Sequence, residues 1–362
     1  MTSANPRPQS PAAASAPAAP APAGPRPRLI ATDLDGTLLR DDKSVSDRTI
    51  AALAAAEEAG IEVFFVTGRP ARWMDVVSAH VHGHGLAICG NGAAVVDLHG
   101  GPGTHSFVKV RELTRECALD VVRRLRAAAP GTSFAVERTG GLHHEETYPP
   151  LHMEPAESIA PAEKLLAETL VAETLLAEEL LAESAGSDAA ANGDGAPAAT
   201  AVSASPASPA ASPGPAASPA SSATDQPVLK VLAFHPGLAP DEFLVLARAA
   251  IGDRATVTRS SPSALLEISG PGVSKASTLE LCCAERGIAP QEVVAFGDMP
   301  NDIEMLAWAG TSYAMGNAHP DVVAAASGRT VANNDDGVAV VIEQILEDRR
   351  GDTGPGRPDV RA

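Results

Sequence analysis

From Arg28 onward, short fully apolar runs alternate with stretches in which apolar residues recur every three or four positions, the pattern of strands alternating with helices. RLIATDL reads as a strand. SDRTIAALAAAEEAG (46–60) reads as a helix that Ser46 or Asp47 caps and Gly60 stops, IEVFFVTGR as a second strand, then a helix from about Ala71, then LAICG as a third strand. Strands so uniformly apolar are buried on both faces, which implies a parallel sheet with helices on either side. The same texture returns near the other end. There VSKASTLELCCAERG, NDIEMLAWAG and GVAVVIEQILEDR read as helices around the strands EVVAFGD and TSYAMG.

The middle of the chain reads differently. AAVVDL, HSFVKV, TSFAVE, VLKVLAFH, ATVTRS and ALLEISG are strand-like, with helices near 112–128 and 240–251. The predicted fold class is α/β: a doubly wound, Rossmann-like parallel-sheet core from residues 28–92 and 268–350, with an α+β domain inserted at 93–267. Within the insert lies a low-complexity tract at about 156–226, where Ala-Glu recurs at 167, 172, 177 and 182 before an Ala/Ser/Pro/Gly run. Five residues advance about 500° around an α-helix, so the leucines spiral around all sides and form no coiled-coil seam. The tract reads as a surface insertion, part helical and part disordered, rather than a partner-binding helix. Residues 1–27, almost all Pro, Ala and Ser, and 351–362 read as disordered tails.

Charge and cysteine content narrow the function. With 45 acidic against 27 basic residues the formal charge is −18, a field that repels phosphate backbones, so no nucleic-acid partner is expected. The first 27 residues lack the apolar run of a secretory signal, and no segment offers the roughly 18 apolar residues of a membrane span. A soluble, cytoplasmic protein with no membrane partner is expected, as a monomer or weak homo-oligomer. Cys89, Cys117, Cys282 and Cys283 have no Cys-x-x-Cys spacing, which argues against structural zinc or a disulfide framework. The histidines of HVHGHG (80–84) and HHEE (143–146) read as solvated rather than metal-binding, with a substrate contact open to His143 and His144.

Chemistry concentrates at four places. In LIATDLDGTLL, Asp33 and Asp35 lie two apart and face one way as the first strand ends, and Gly36 permits a tight turn. Two carboxylates alone fit one aspartate capping a helix with the other solvated as well as they fit a shared site. GDMPND (297–302), after EVVAF, brings Asp298 to the same sheet edge, and converging carboxylates with no balancing arginine call for a hard cation such as Mg²⁺. VTGR places the Thr67 hydroxyl and the Gly68 N–H at a strand end, and VSKAS places Lys275 at a helix start, where its charge and the helix terminus both favour an anion.

In order and character DLDGTLL, VTGR, SKAS and GDMPND resemble the four motifs of the haloacid dehalogenase superfamily of phosphotransferases, and the long insert with its ICGNGA entry is similar to the Cof-type branch, whose cap covers the site. The resemblance spans 28 to about 348, apart from the repetitive tract. It implies a Mg²⁺-dependent phosphatase acting on monoesters of small phosphorylated metabolites, sugar phosphates first, through an aspartyl-phosphate. Asp33 would be the nucleophile and Asp35 the general acid and base. Asp33, the Asp35 carbonyl and Asp298 would hold Mg²⁺, while Thr67, Gly68, Lys275 and Asn301 would hold phosphate, with Asp302 orienting the lysine or the metal's shell and Arg69 and Asn91 touching substrate. The chain departs from the usual pattern at Ala276, where the family often has Gly after the lysine. A phosphomutase on the same fold, or a non-catalytic binding protein that uses the long insertion, are the alternatives.

Overall fold

The computed structural model describes residues 26–79, 85–149, 155–167, 226–259, 261 and 263–352. Most of both tails, the HVHGHG histidines and most of the repetitive tract lie outside the described residues. Strands run in chain order as β1 (Leu29–Thr32), β2 (Glu62–Val66), β3 (Leu86–Cys89), β4 (Ala94–Asp97), β5 (Ser106–Val110), β6 (Ser133–Arg138), β7 (Leu142–His144), β8 (Ser158–Ile159), β9 (Val228–Phe234), β10 (Thr256–Thr258), β11 (Leu265–Ser269), β12 (Val293–Gly297), β13 (Thr311–Ala314) and β14 (Gly328–Arg329). The helices that matter below are α1 (Asp47–Glu58), α2 (Asp75–Ser78), α3 (Arg115–Ala128), α4 (Ala162–Leu165), α5 (Pro240–Ile251), α6 (Lys275–Glu285), α7 (Ile303–Trp308), α8 (Pro320–Ala325) and α9 (Gly337–Asp352).

Two sheets result. The first runs β14-β13-β12-β1-β2-β3-β4-β5, parallel from β14 to β3 and antiparallel over β4 and β5. Its strands are buried on alternate sides: Ile30, Phe65 and Phe296 pack with Leu53 of α1 and Ile342 of α9, while Leu29, Ala31, Phe64 and Val66 pack with Leu279, Cys282 and Cys283 of α6. The adjacent cysteines therefore pack, and burial pushes the Cys283 thiol up to about 12. Because β1 sits between β12 and β2 in parallel register, the residues after these strands, Asp33, Asp298 and Thr67, meet at one sheet edge.

The second sheet runs β10-β11-β9-β6-β7-β8, with helices α3, α4 and α5 packed on one side around Phe134, Val231 and Phe243. Its apolar cluster is separate from those of the first sheet. Among the described residues, buried Ala93, Ala94, Leu229 and Val273, with Phe107 and Val110 against them, form a small group shared by both, next to the two connecting segments, where Arg111 donates to the Gly272 carbonyl. No helix among the described residues is long and apolar enough to cross a membrane.

Three expectations need correction. AAVVDL and HSFVKV, placed in the insert by sequence, are β4 and β5 of the first sheet, so the second unit begins after Val110 rather than at 93 and ends with β11 at Ser269. The chain reverses through Asn91 (φ 55°) and Gly92 (φ 103°), which fold β4 back on β3. The low-complexity tract was placed too early: Ser158 and Ile159 pair with β7, and Ala162, Leu165 and Leu166 are buried in the second unit's core. The helix expected from Ala71 is a 3₁₀ turn, Ala71–Trp73, followed by the four-residue α2.

His143 is buried on β7, its Nδ1 at 2.8 Å from Ser158 Oγ. Burial, then the charges of Arg138 and Arg72, pull its pKa down to about 4. The unfolded chain gains a proton near pH 6.5 where the folded one does not, so the stability from this neutral histidine is complete above pH 6.5 and is lost as pH falls towards 4. Chemical denaturation of wild type and His143→Gln at pH 7.5 and 5 is expected to show the gap in stability between them narrowing at the lower pH; an unchanged gap contradicts the assignment.

Candidate active site

The turn after β1 builds the first wall. The Asp33 N–H donates to the Phe296 carbonyl across the sheet, and Leu38 N–H returns to the Asp33 carbonyl. Gly36 has φ +79°, and a Cβ there would lie 2.3 Å from Asp298 Oδ2, so only glycine lets the turn pass the carboxylate. Thr37 donates its hydroxyl to Asp298 Oδ1 at 3.0 Å.

The helix α6 supplies the cation. Ser274 and Ser277 form a reciprocal cap that fixes the first turn, and Lys275 is the first helical residue. Its Nζ lies 2.6 Å from Asp33 Oδ1 and 2.6 Å from Asp302 Oδ1. Asp302 Oδ2 accepts the backbone N–H groups of Asp298 and Met299, both at 3.0 Å. The ICGNGA turn braces this helix start: Thr278 donates to the Gly92 carbonyl at 2.8 Å, and a Cβ on Gly92 would lie 2.2 Å from the Ser274 oxygen.

Oxygens of Asp33, Asp298 and Asp302 all lie within 4.8 Å of one another, and all three residues are buried. One ammonium faces three carboxylates. Burial, with Asp302 and Asp298 adding to it against Lys275, pushes the Asp33 carboxyl well above its usual range, and burial followed by the Asp302 charge lifts Asp298 to about 7. Burial opposes the charge on Lys275, yet the two carboxylates outweigh it and hold the ammonium above its ordinary range. Asp302 already serves Lys275 and two N–H groups, whereas Asp298 has the Thr37 hydroxyl and, among the described residues, no cationic hydrogen-bond partner. An oxygen-only, electron-rich pair formed by Asp33 and Asp298 fits a hard divalent cation.

Beside it opens a cavity of about 380 Å³, lined on one side by Asp33, Asp35, Thr67, Gly68 and Arg69 and on the other by Glu137, Leu142, Lys230, Leu232, Leu265 and Glu267 of the second sheet. The two sheets thus close over the motif residues. Arg69 clamps Asp35 with two bonds, Nε–Oδ2 at 2.6 Å and Nη2–Oδ1 at 2.7 Å, and Lys43 adds a third at 2.9 Å. Burial works against the Asp35 charge, but Arg69 and then Lys43 overcome it and hold the carboxyl at about 2. Asn301 lines the cavity but donates to Asn91 Oδ1 at 3.0 Å. Asn91 lies instead on a groove behind, with Nδ2 at 3.4 Å from Thr258 Oγ1 of β10. His143 and His144 are not among the residues lining the cavity.

Sequence reasoning passed over Thr37, Lys43, Arg72, Glu137, Lys230 and Glu267. Arg72 pairs with buried Glu137, and Lys230 with buried Glu267. A signal existed: Lys230 and Glu267 are charged residues set inside apolar runs, and Glu137 directly follows one.

The profile of haloacid dehalogenase-like hydrolases matches residues 30–146 and 206–342. A 5-amino-6-(5-phospho-D-ribitylamino)uracil phosphatase of Bacillus subtilis, YitU, is 26% identical over 320 residues, 88% of this chain and 98% of its own. The Escherichia coli phosphatase YbjI, named for the same activity, is 46% identical over 98 residues, 27% of this chain; the match spans 36% of that relative's length. In three dimensions the chain is similar to BT1666 of Bacteroides thetaiotaomicron, from a study of phosphatases of this superfamily, with a TM-score of 0.61 and 19% identity over 88% of this chain and 95% of the other. That likeness shows the fold, and the profile match over most of the chain shows the kinship: this chain belongs to the haloacid dehalogenase-like hydrolases.

Proposed function

We propose that this protein is a Mg²⁺-dependent phosphatase of small phosphorylated metabolites, working through an aspartyl-phosphate. The observation that carries the reading is the meeting of Asp33 with Lys275 and Asp298, at the point where Asp33 and Thr67 line the cavity between the two sheets. Lys275 binds Asp33 Oδ1, which fixes the carboxylate and leaves its other oxygen to attack phosphorus in line. The ester bond breaks as the acyl phosphate forms, and the leaving oxygen takes a proton from Asp35; Asp35 then takes one from the water that releases phosphate. As arranged here Asp35 is ionised and set to act as the base. Acting as the acid requires Arg69 to let go, and the incoming phosphoryl group is the anion that competes for that guanidinium. Asp33, Asp298 and the Asp35 carbonyl would hold Mg²⁺, whose charge lets a carboxylate approach a phosphate dianion. Thr67 and Lys275 add to the same screening.

The second sheet unit acts as the cap that excludes water and selects the leaving group. A cavity of about 380 Å³ suits a small metabolite, in keeping with the activities for which YitU and YbjI are named. A panel of phosphate esters, sugar phosphates and phosphoribityl compounds included, tests the reading. Phosphate release is expected to require Mg²⁺, to stop with EDTA and to return on adding the metal back; turnover that ignores chelation contradicts it.

A further inference from the structure

Lys230 lies near the middle of β9, 4% exposed, and its ammonium crosses the cleft. It donates to the Gly68 carbonyl at 2.8 Å while an ion pair with Glu267 of the neighbouring β11 holds it in place. A lysine buried inside an apolar strand costs folding free energy unless it is well paired. Here one of its three donors is committed to a single backbone oxygen of the other unit.

That oxygen belongs to the Gly68–Arg69 peptide. The N–H of the same peptide donates to Thr67 Oγ1 at 3.1 Å. The peptide plane is therefore pinned at both ends, from across the cleft by Lys230 and from its own loop by Thr67. With its oxygen accepting from Arg69 N–H, the Thr67 hydroxyl keeps its own hydrogen to donate elsewhere, and Thr67 and Gly68 both line the cavity next to Asp33. Rotating this peptide would disturb the Thr67 hydroxyl and the root of the Arg69 side chain together.

We propose that Lys230 is a positioning residue, which sets the phosphate-holding loop Thr67–Arg69 from the opposite unit, so that the loop grips a phosphoryl group only while that unit is seated. The proposal rests on the phosphatase reading, in which this loop receives phosphate. It makes the grip independent of the leaving group: Lys230 acts through a carbonyl of the loop and not through the ester's organic part.

The test is the affinity for inorganic phosphate, measured as product inhibition and by calorimetry with Mg²⁺ present. Lys230→Met alone takes the ammonium away from the buried Glu267 carboxylate, so the variant is the double substitution Lys230→Met with Glu267→Gln. Inorganic phosphate is expected to bind about tenfold or more weakly, the loss of one hydrogen bond from a charged donor, with kcat/KM falling by a similar factor for p-nitrophenyl phosphate and for a sugar phosphate. Lys230→Arg, which reaches the same carbonyl with a forked head in a space built for an ammonium, is expected to bind phosphate measurably more weakly than wild type and more tightly than the double variant, and it carries the test by itself if the double variant does not fold. Unchanged phosphate affinity in the folded variants overturns it, whether activity falls for one ester only, as for a leaving-group contact, or only the melting temperature moves. A wild type that neither binds phosphate nor hydrolyses any ester overturns the phosphatase reading instead, a result visible before any variant is made.

Discussion

Asp33→Asn is expected to lower phosphate release by about 10⁴-fold or more while the protein stays folded. The amide matches the carboxylate in shape but offers no anionic oxygen to phosphorus. Lys275 keeps Asp302 as a partner, so the replacement does not leave the ammonium stranded. The stability expectation is as informative as the rate. Three buried carboxylates share one lysine, and burial pushes the Asp33 carboxyl upward, so its charge opposes folding when no metal is present. In EDTA the asparagine variant is expected to melt no lower than wild type. Steady-state assay and thermal melting decide the matter: a variant with undiminished turnover sinks the nucleophile, and one that is inactive only because it is unfolded leaves the stability argument refuted.

Lys275→Met is expected to act in the opposite sense on stability. The ammonium is 2% exposed and bonded to two carboxylates, and removing it leaves Asp33 and Asp302 facing each other without compensation. Breaking a buried pair from one side costs about 3–5 kcal/mol. Activity is expected to fall by about 10³-fold through the loss of charge on the transferring group. Adding Asp302→Asn removes one stranded carboxylate, so urea unfolding of the double variant is expected to recover part of the stability while turnover stays low. If stability and activity return together, Lys275 has a structural role alone.

These residues were legible in the sequence for a physical reason. Asp33, Thr67 and Asp298 each follow an apolar strand, and once those strands are parallel neighbours their ends coincide, whatever the loops do. Lys275 was legible because the serines around it cap a helix. The hairpin of β4 and β5 was read as strands yet given to the wrong sheet, since alternation shows that a strand has a buried face without showing which edge it joins. Leu165 and Leu166 were hidden by the repeat that begins beside them, although they fill the second unit's core. Arg69 on Asp35 depends on how two loops of the first sheet meet, and Asn91 against Thr258 on what the opposite unit brings near, so neither pairing had a signature in one dimension. Ala276, the departure from the family's pattern, sits as an ordinary buried helical residue.

The small apolar group of Ala93, Ala94, Leu229 and Val273 has a mechanical consequence. Among the described residues the facing surfaces also meet through polar links, Arg72 with Glu137, Lys230 with a carbonyl and Asn91 with Thr258, and water can replace each of these. Gaping at the mouth therefore wets little oil, provided the greasy corner stays shut. A nodding rotation about that corner is favoured over a sliding one, because sliding would drag Leu229 and Val273 into solvent.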